Sequence, residues 1–299
     1  MSGFEGAAEL RQQPEDTPEA APAARRKTVP VGNRPRVALM GEFSAGKSTL
    51  SNLLIGKSAL PVNITATQLP PVWMSYGSEA PYRVDLDEQE HDVDPSLAGV
   101  SVTDTNHIRI FHESRFLKCA DLIDMPGISD PNMAADVWQR VLPNADIIVW
   151  CSHATQAWRQ SEAAVWSTLP TSFHDKSILL LTRMDKILSD RDRLRVIKRV
   201  ERETEGLFRK VMPVSLIHAL EAGEDSEAWT ESGADALLAT LMELIDEVAS
   251  GKSGRPVSRI RSASAPTSVD SSIGEAQKPR IVMPTRVRPR PLTSRPLGR

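Results

Sequence analysis

Gly41-Glu42-Phe43-Ser44-Ala45-Gly46-Lys47-Ser48-Thr49 fits G-x-x-x-x-G-K-[ST], the phosphate-binding loop. Its flanks agree with that reading. Arg36-Val37-Ala38-Leu39-Met40 predicts a short strand, and Leu50, Leu53, Leu54 and Ile55 predict the apolar face of a helix. Strand, glycine-rich turn and helix is the arrangement such a loop requires. Gly41 and Gly46 let the backbone turn tightly around an anion. Amides of the loop and of the helix N-terminus then face phosphate oxygens. Lys47 adds a mobile positive charge, and the Ser48 hydroxyl suits Mg²⁺, a hard cation that takes oxygen ligands.

Working outward, apolar runs alternate with amphipathic stretches. Strands are expected at 71–76, 82–86 and 107–111, with an acidic surface loop over 85–96. Buried strands are expected at 120–124, 146–151 and 177–182, and a short one at 211–215. Helices are expected over 134–142, 160–169, 190–208 and 234–248, the last with Leu237, Leu238, Leu241, Leu244, Ile245 and Val248 near 3.6 spacing. This alternation predicts a P-loop NTPase of three α/β/α layers around a mostly parallel sheet.

Composition divides the 299 residues into three parts. Residues 1–33 and 251–299 are rich in Pro, Ala, Ser and Arg without periodicity, and both read as disordered. Residues 34–250 read as one large domain. Of 36 basic and 39 acidic side chains, 11 and 2 lie at or beyond 251, and 4 and 5 lie before 34. The remaining 21 basic and 32 acidic groups make the middle acidic, against a strongly basic tail that could dock on a polyanion. No run of about 18 apolar residues or apolar signal core is present, which predicts a cytoplasmic protein without a membrane span. Cys119 and Cys151 adjoin apolar runs and are expected to be buried thiols. His107 and His112 read as ordinary strand and surface histidines, and Trp138, Trp150, Trp158 and Trp166 as core or rim.

Further motifs end predicted strands, where open α/β sheets bind ligands. Asp124-Met125-Pro126-Gly127 has the form D-x-P-G. Asp124 would reach Mg²⁺ through water, and the Gly127 amide could meet a terminal phosphate. In Thr182-Arg183-Met184-Asp185, the Asp185 carboxylate can accept from guanine N1–H and its exocyclic amine, a donor pair that adenine lacks. Arg183 could lie along the base. Val214-Ser215-Leu216 could offer amides to the guanine oxygen. The loop 56–71 carries Thr65 and Thr67, and a threonine there can complete a Mg²⁺ shell in one nucleotide state and leave it in the other.

The phosphate loop, Leu60-Pro61 with Thr67, Asp-Met-Pro-Gly, Thr-Arg-Met-Asp and the stretch 145–169 together resemble the GTPase domain of bacterial dynamin-like proteins, over about residues 35–248. The resemblance implies Mg²⁺-dependent hydrolysis of GTP to GDP, stimulated by homodimerisation across the nucleotide. It implies that Ser44 offsets transition-state charge beside Lys47, and that Thr67 holds Mg²⁺ and orients water. The expected nucleotide-binding set is Gly41, Glu42, Phe43, Ser44, Ala45, Gly46, Lys47, Ser48, Thr49, Asp124, Gly127, Thr182, Arg183, Asp185 and Ser215. The metal set is Ser48, Thr67 and Asp124.

The chain departs from the pattern it resembles in informative places. Phe43 stands where eukaryotic dynamins carry a water-positioning glutamine, and Ile128 where Ras-like enzymes carry Gln. Slow basal turnover is therefore expected without a dimer or partner. Arg183 replaces the usual Lys of the guanine motif, and Leu216 the usual small residue after the serine. No helical stalk is recognisable after residue 250, so membrane fission by a stalk is not expected. The alternatives are a nucleotide-dependent interaction module with negligible turnover, and an RNA- or ribosome-associated GTPase. The tail adds an anionic membrane surface, and hence peripheral attachment, to the candidate partners.

Overall fold

Val37, Ala38, Leu39 and Met40 form an unbroken apolar run, which suits a strand covered on both faces. In the computed structural model, which describes residues 34–56, 69–129, 136–223 and 226–251, that run lies inside β1 (Arg36–Gly41). β1 pairs in parallel with β6 (Asp121–Asp124) on one side and β7 (Ile147–His153) on the other. β8 (Ser177–Thr182) and β9 (Lys210–Pro213) continue the parallel array. On the far side, β2 (Val72–Tyr76) runs antiparallel to β6 but parallel to β5 (Thr105–His112). β3 (Tyr82–Asp85) and β4 (Glu90–Asp92) complete the order β4-β3-β5-β2-β6-β1-β7-β8-β9 among the described residues.

The side-chain period of two sends alternate β1 residues to opposite faces. Val37 and Leu39 join Leu50 and Leu54 of α1 (Lys47–Ile55) and Leu237, Leu241 and Leu244 of α8 (Ala234–Ala249). Ala38 and Met40 join Trp150, Trp158, Trp166 and Phe208 on the other face. There α4 (Gln160–Trp166) and α5 (Asp190–Glu203) supply the cover. Trp150 is wholly buried and meets Trp158 and Trp166 edge-on, at centroid separations of 6.3 and 5.5 Å. The three-layer P-loop architecture is thus the observed one.

Several boundaries shift for local reasons. The acidic stretch at 85–96 is not all loop, since β4 closes a hairpin inside it. The Asp85 carboxylate accepts the Asp87 and Gln89 amides and bonds His91 Nε2 at 2.6 Å, which fixes the turn. β4 is fully exposed, so it carries no apolar alternation to read. α5 stops at Glu203 rather than near 208. The Thr204 hydroxyl donates to the Val200 carbonyl at 2.7 Å, freeing Phe208 to turn under Trp166. α4 stops at Trp166, where the Ser167 and Thr168 hydroxyls take the Ala164 and Val165 carbonyls. α2 (Arg115–Cys119), α6 (Leu216–Glu221) and α7 (Glu227–Ser232) were not foreseen, being too short for a periodic signal. α3 is Asp136–Val141. Cys151 is buried as expected, but Cys119 is exposed, because it ends α2 instead of opening the next strand. No helix among the described residues is long and apolar enough to cross a membrane.

Candidate functional site

The site is built where β1 ends. Gly41 has φ +136°, and a methyl group there would stand 2.1 Å from the Cys151 carbonyl oxygen on β7. Only glycine lets the two strands sit this close as the chain turns into the loop. Ser44 and Gly46 are left-handed at φ 57° and 97°, which curls the loop before α1 begins at Lys47. No side chain caps that helix. Its first amides are therefore not taken by a capping side chain, and the dipole favours a negative group at this end. Lys47 Nζ folds back over the loop and donates to the Glu42 and Gly41 carbonyls at 2.8 and 3.1 Å.

Neighbouring strand ends hold the loop in shape. The Thr182 hydroxyl at the end of β8 donates to the Ala45 carbonyl at 2.8 Å. Arg183, left-handed at φ 56°, donates Nη2 to the Ser44 carbonyl at 2.9 Å. From the β6 side, the Ile128 amide donates to the Gly41 carbonyl at 3.2 Å, and the Phe43 amide donates to Ser129 Oγ at 3.1 Å. A methyl on Gly127 would fall 2.9 Å from the Phe43 backbone. The D-x-P-G turn therefore lies directly on the phosphate loop.

These walls enclose a cleft of about 280 Å³ lined by residues 43–49, Leu69, Pro70, Val72, residues 124–127 and Arg183. Asp124 is buried at its rim and bonds Ser48. Burial pushes its carboxyl up to about 6, against the pull of Lys47 and of the Ser48 hydrogen bond. A buried carboxylate beside a hydroxyl offers two hard oxygens, a donor set that fits Mg²⁺. Among the described residues no group of three His, Cys, Asp or Glu side chains could hold a metal. Thr65 and Thr67 lie outside the described residues.

Asp185 and Ser215 are not in the cleft wall; they pair beside it. Ser215 Oγ donates to Asp185 Oδ1 at 3.1 Å, and Lys186 Nζ stands 3.4 Å from Oδ2. Burial works upward on the Asp185 carboxyl, but the Ser215 bond, its own backbone and Lys186 outweigh it and hold it low. It stays an anion, an acceptor only. Two details correct the expectation. The Ser215 amide is spent on the Ser232 carbonyl and the Val214 amide on the Leu181 carbonyl, both at 2.9 Å. Ser215 therefore reaches Asp185 through its hydroxyl, not its amide. Arg183 commits its guanidinium to the loop rather than leaving it loose beside a base.

Residues 37–184 match the model of the Dynamin family. Over this part the chain is similar to the dynamin family. Dynamin-like protein 2 of Campylobacter jejuni subsp. jejuni serotype O:23/36 (strain 81-176) is 23% identical over 216 residues, covering 70% of this chain and 34% of that protein. The dynamin-type fold also matches a solved structure described as an oligomerised bacterial dynamin pair that provides a mechanism for long-range sensing and tethering of membranes. That match has a TM-score of 0.56 and 19% identity, covering 75% of this chain and 39% of that one. A second structure of such a pair gives a TM-score of 0.51 and 19% identity over 73% and 37%. The chain thus spans between a third and two-fifths of the length of these dynamin relatives.

Sequence reasoning missed the side-chain partner of Glu42. Its carboxylate accepts from Arg159 Nη1 at 3.0 Å and from Ser161 Oγ, both at the start of α4. Nothing local announces a partner 117 residues away. Ser129, which receives the Phe43 amide, was missed for the same reason.

Proposed function

We propose that the chain binds GTP and hydrolyses it to GDP with Mg²⁺ as a dynamin-type nucleotide switch. One observation carries this reading. Lys47 and Asp185 follow the C-terminal ends of β1 and β8, two parallel strands separated only by β7, and the Thr182 to Ala45 bond ties the two loops together. That spacing supports a triphosphate bound on the loop of residues 41–49 with its purine toward Asp185. Asp185, held anionic by Ser215, accepts from a guanine edge and finds no matching donor pair on adenine. Lys47 leaves the Glu42 and Gly41 carbonyls for the outer phosphates, and with the loop amides and Ser44 it stabilises the charge that develops there.

Ser48 and Asp124 would hold Mg²⁺, with Thr67 as a further oxygen ligand. The ion supplies charge neutralisation on the phosphate oxygens. Gly127 packs on Phe43 of the phosphate loop, so a terminal phosphate bound there would act on the order of this turn. Phe43 is half-exposed at the cleft, and Leu188, three residues past Asp185, is 92% exposed. Apolar surface flanking a nucleotide cleft favours a second copy of the chain across it. Isothermal titration with GTP, and turnover at rising protein concentration, test the reading. Wild-type protein binds and its specific rate climbs with concentration, whereas Lys47→Ala neither binds nor turns over. Equal GTP binding by Lys47→Ala would refute it.

A second reading is an interaction module with negligible turnover. Phe43 and Ile128 favour it, because neither side chain can orient water. A flat, near-zero single-turnover rate at every protein concentration would select it. For the basic tail, an anionic membrane surface fits the tethering described for the bacterial dynamin pair, and RNA is the competing polyanion. Peripheral attachment from the cytoplasm follows from the first. Salt-dependent binding to anionic vesicles and to RNA, with and without residues 252–299, separates them.

A further inference from the structure

Glu42 sits in the phosphate loop, yet its carboxylate turns toward α4 rather than the cleft. Its side chain is 15% exposed and accepts from Arg159 Nη1 at 3.0 Å and from Ser161 Oγ. Arg159 is itself fixed. Its amide donates to Glu162 Oε2 at 2.9 Å, closing the cap of α4. Buried Glu162 also accepts from Trp150 Nε1 at 3.0 Å and Ser152 Oγ at 2.9 Å. Ser152 Oγ in turn receives the Trp158 amide at 3.0 Å. Two carboxylates, Glu42 and Glu162, thus grip one arginine, by side chain and by backbone, and the second is rooted in the tryptophan core under β7.

At its other end this chain of contacts reaches the reacting groups. The Glu42 carbonyl is the nearer acceptor of Lys47 Nζ, at 2.8 Å. When phosphate draws the amine away, the carbonyl loses its partner and the loop is free to follow. A loop pinned through its side chain stays in place. We propose that Glu42, held by Arg159 and Ser161, is a positioning residue that keeps the phosphate loop fixed while Lys47 moves from the loop carbonyls to the phosphates. The inference rests on the GTPase reading above. It assigns the β7–α4 turn a share in catalysis although no residue of that turn lines the cleft. Misplacement of reacting groups by an ångström or less is enough to lose one to two orders of magnitude in rate.

The test uses the full chain with Glu42→Gln, Arg159→Ala, Arg159→Lys and Lys47→Ala, reading kcat, KM for GTP and melting temperature. Glu42→Gln keeps an acceptor for Ser161 but loses the ion pair, and Arg159→Ala loses it too. Both are expected to lower kcat roughly tenfold or more, with KM changed less than about threefold. Arg159→Lys, which can still pair, recovers most of the lost kcat. Melting temperatures stay within about 3 °C of wild type, because a pair whose arginine is 46% exposed adds little stability. Wild-type kcat in both Glu42→Gln and Arg159→Ala overturns the inference, as does an Arg159→Lys rate no better than that of Arg159→Ala. A fall in kcat that simply tracks a large drop in melting temperature overturns it too. Full activity in Lys47→Ala would instead strike the GTPase reading itself.

Discussion

Thr182 donates its hydroxyl to the Ala45 carbonyl at 2.8 Å, and the Ser152 carbonyl, at 3.3 Å, is the more distant acceptor within reach of the same proton. One buried side chain at the tip of β8 therefore ties the guanine motif to the phosphate loop over the end of β7. Thr182→Val keeps the shape and leaves the Ala45 carbonyl without that donor. It should lower stability by about 1–2 kcal/mol and weaken GTP binding several-fold. Urea melts and fluorescent-nucleotide titration measure both.

Gly41→Ala should be far more damaging. The added methyl would lie 2.1 Å from the Cys151 carbonyl oxygen, at a φ of +136° that side chains rarely adopt. Strand separation must give way, and losses above about 4 kcal/mol arise from this kind of clash and strain. The expected outcome is insoluble protein, or a melting temperature more than about 10 °C lower. Gly56→Ala is the control for backbone strain alone, since its φ is also positive, at +76°, but nothing lies within 4 Å of a methyl there; it should cost only about 1–2 kcal/mol.

Asp124→Asn should separate stability from activity. Burial raises the Asp124 carboxyl from 3.8 to about 6, so the folded chain holds this proton more tightly than the unfolded one. Its stabilising share is full below about 3.8 and is lost as pH rises through about 6. At neutral pH the bare carboxylate is a burden of up to about 3 kcal/mol. The neutral isostere should therefore raise the melting point of metal-free protein at pH 7.5, while Mg²⁺-dependent turnover disappears. A lower melting point would contradict this account of the site.

His107 sets an acid limit of opposite sign. It packs on Trp73, with ring centroids 5.4 Å apart, and burial followed by the charge of Arg109 lowers its pKa to about 4. Between about 6.5 and 4 the unfolded chain takes up a proton that the folded chain refuses. Stability is complete above 6.5 and falls as pH drops through that window, by up to about 3 kcal/mol. His107→Phe keeps a ring on Trp73 and should flatten the slope. Denaturant melts of both proteins from pH 7 to 4.5 measure the difference, and parallel slopes would contradict it.

The parts legible in the sequence were those with a local signature. Gly41 through Thr49 carried its own strand and helix, and the apolar runs of β7 and β8 announced the sheet centre. Asp124 and Asp185 could be singled out because one ends such a run and the other follows one by three residues. Hidden from that reading were features made by distant pairing. The bond from Arg159 to Glu42 and the anchor of Phe43 on Ser129 need the sheet to be assembled first. Charged β4 and the short α2, α6 and α7 lack the periodicity that reveals longer elements. Ser215 shows both sides, since it lies beside Asp185 and bonds it through the hydroxyl, while the Ser232 carbonyl takes its amide.

The most direct test of the central claim is competition of unlabelled GTP and ATP against a fluorescent guanine nucleotide on the full chain. The Ser215-bound Asp185 carboxylate predicts displacement by GTP at concentrations at least about 100-fold below those needed for ATP. It also predicts that Asp185→Ala erases the difference. Equal displacement by the two nucleotides from wild-type protein would contradict it.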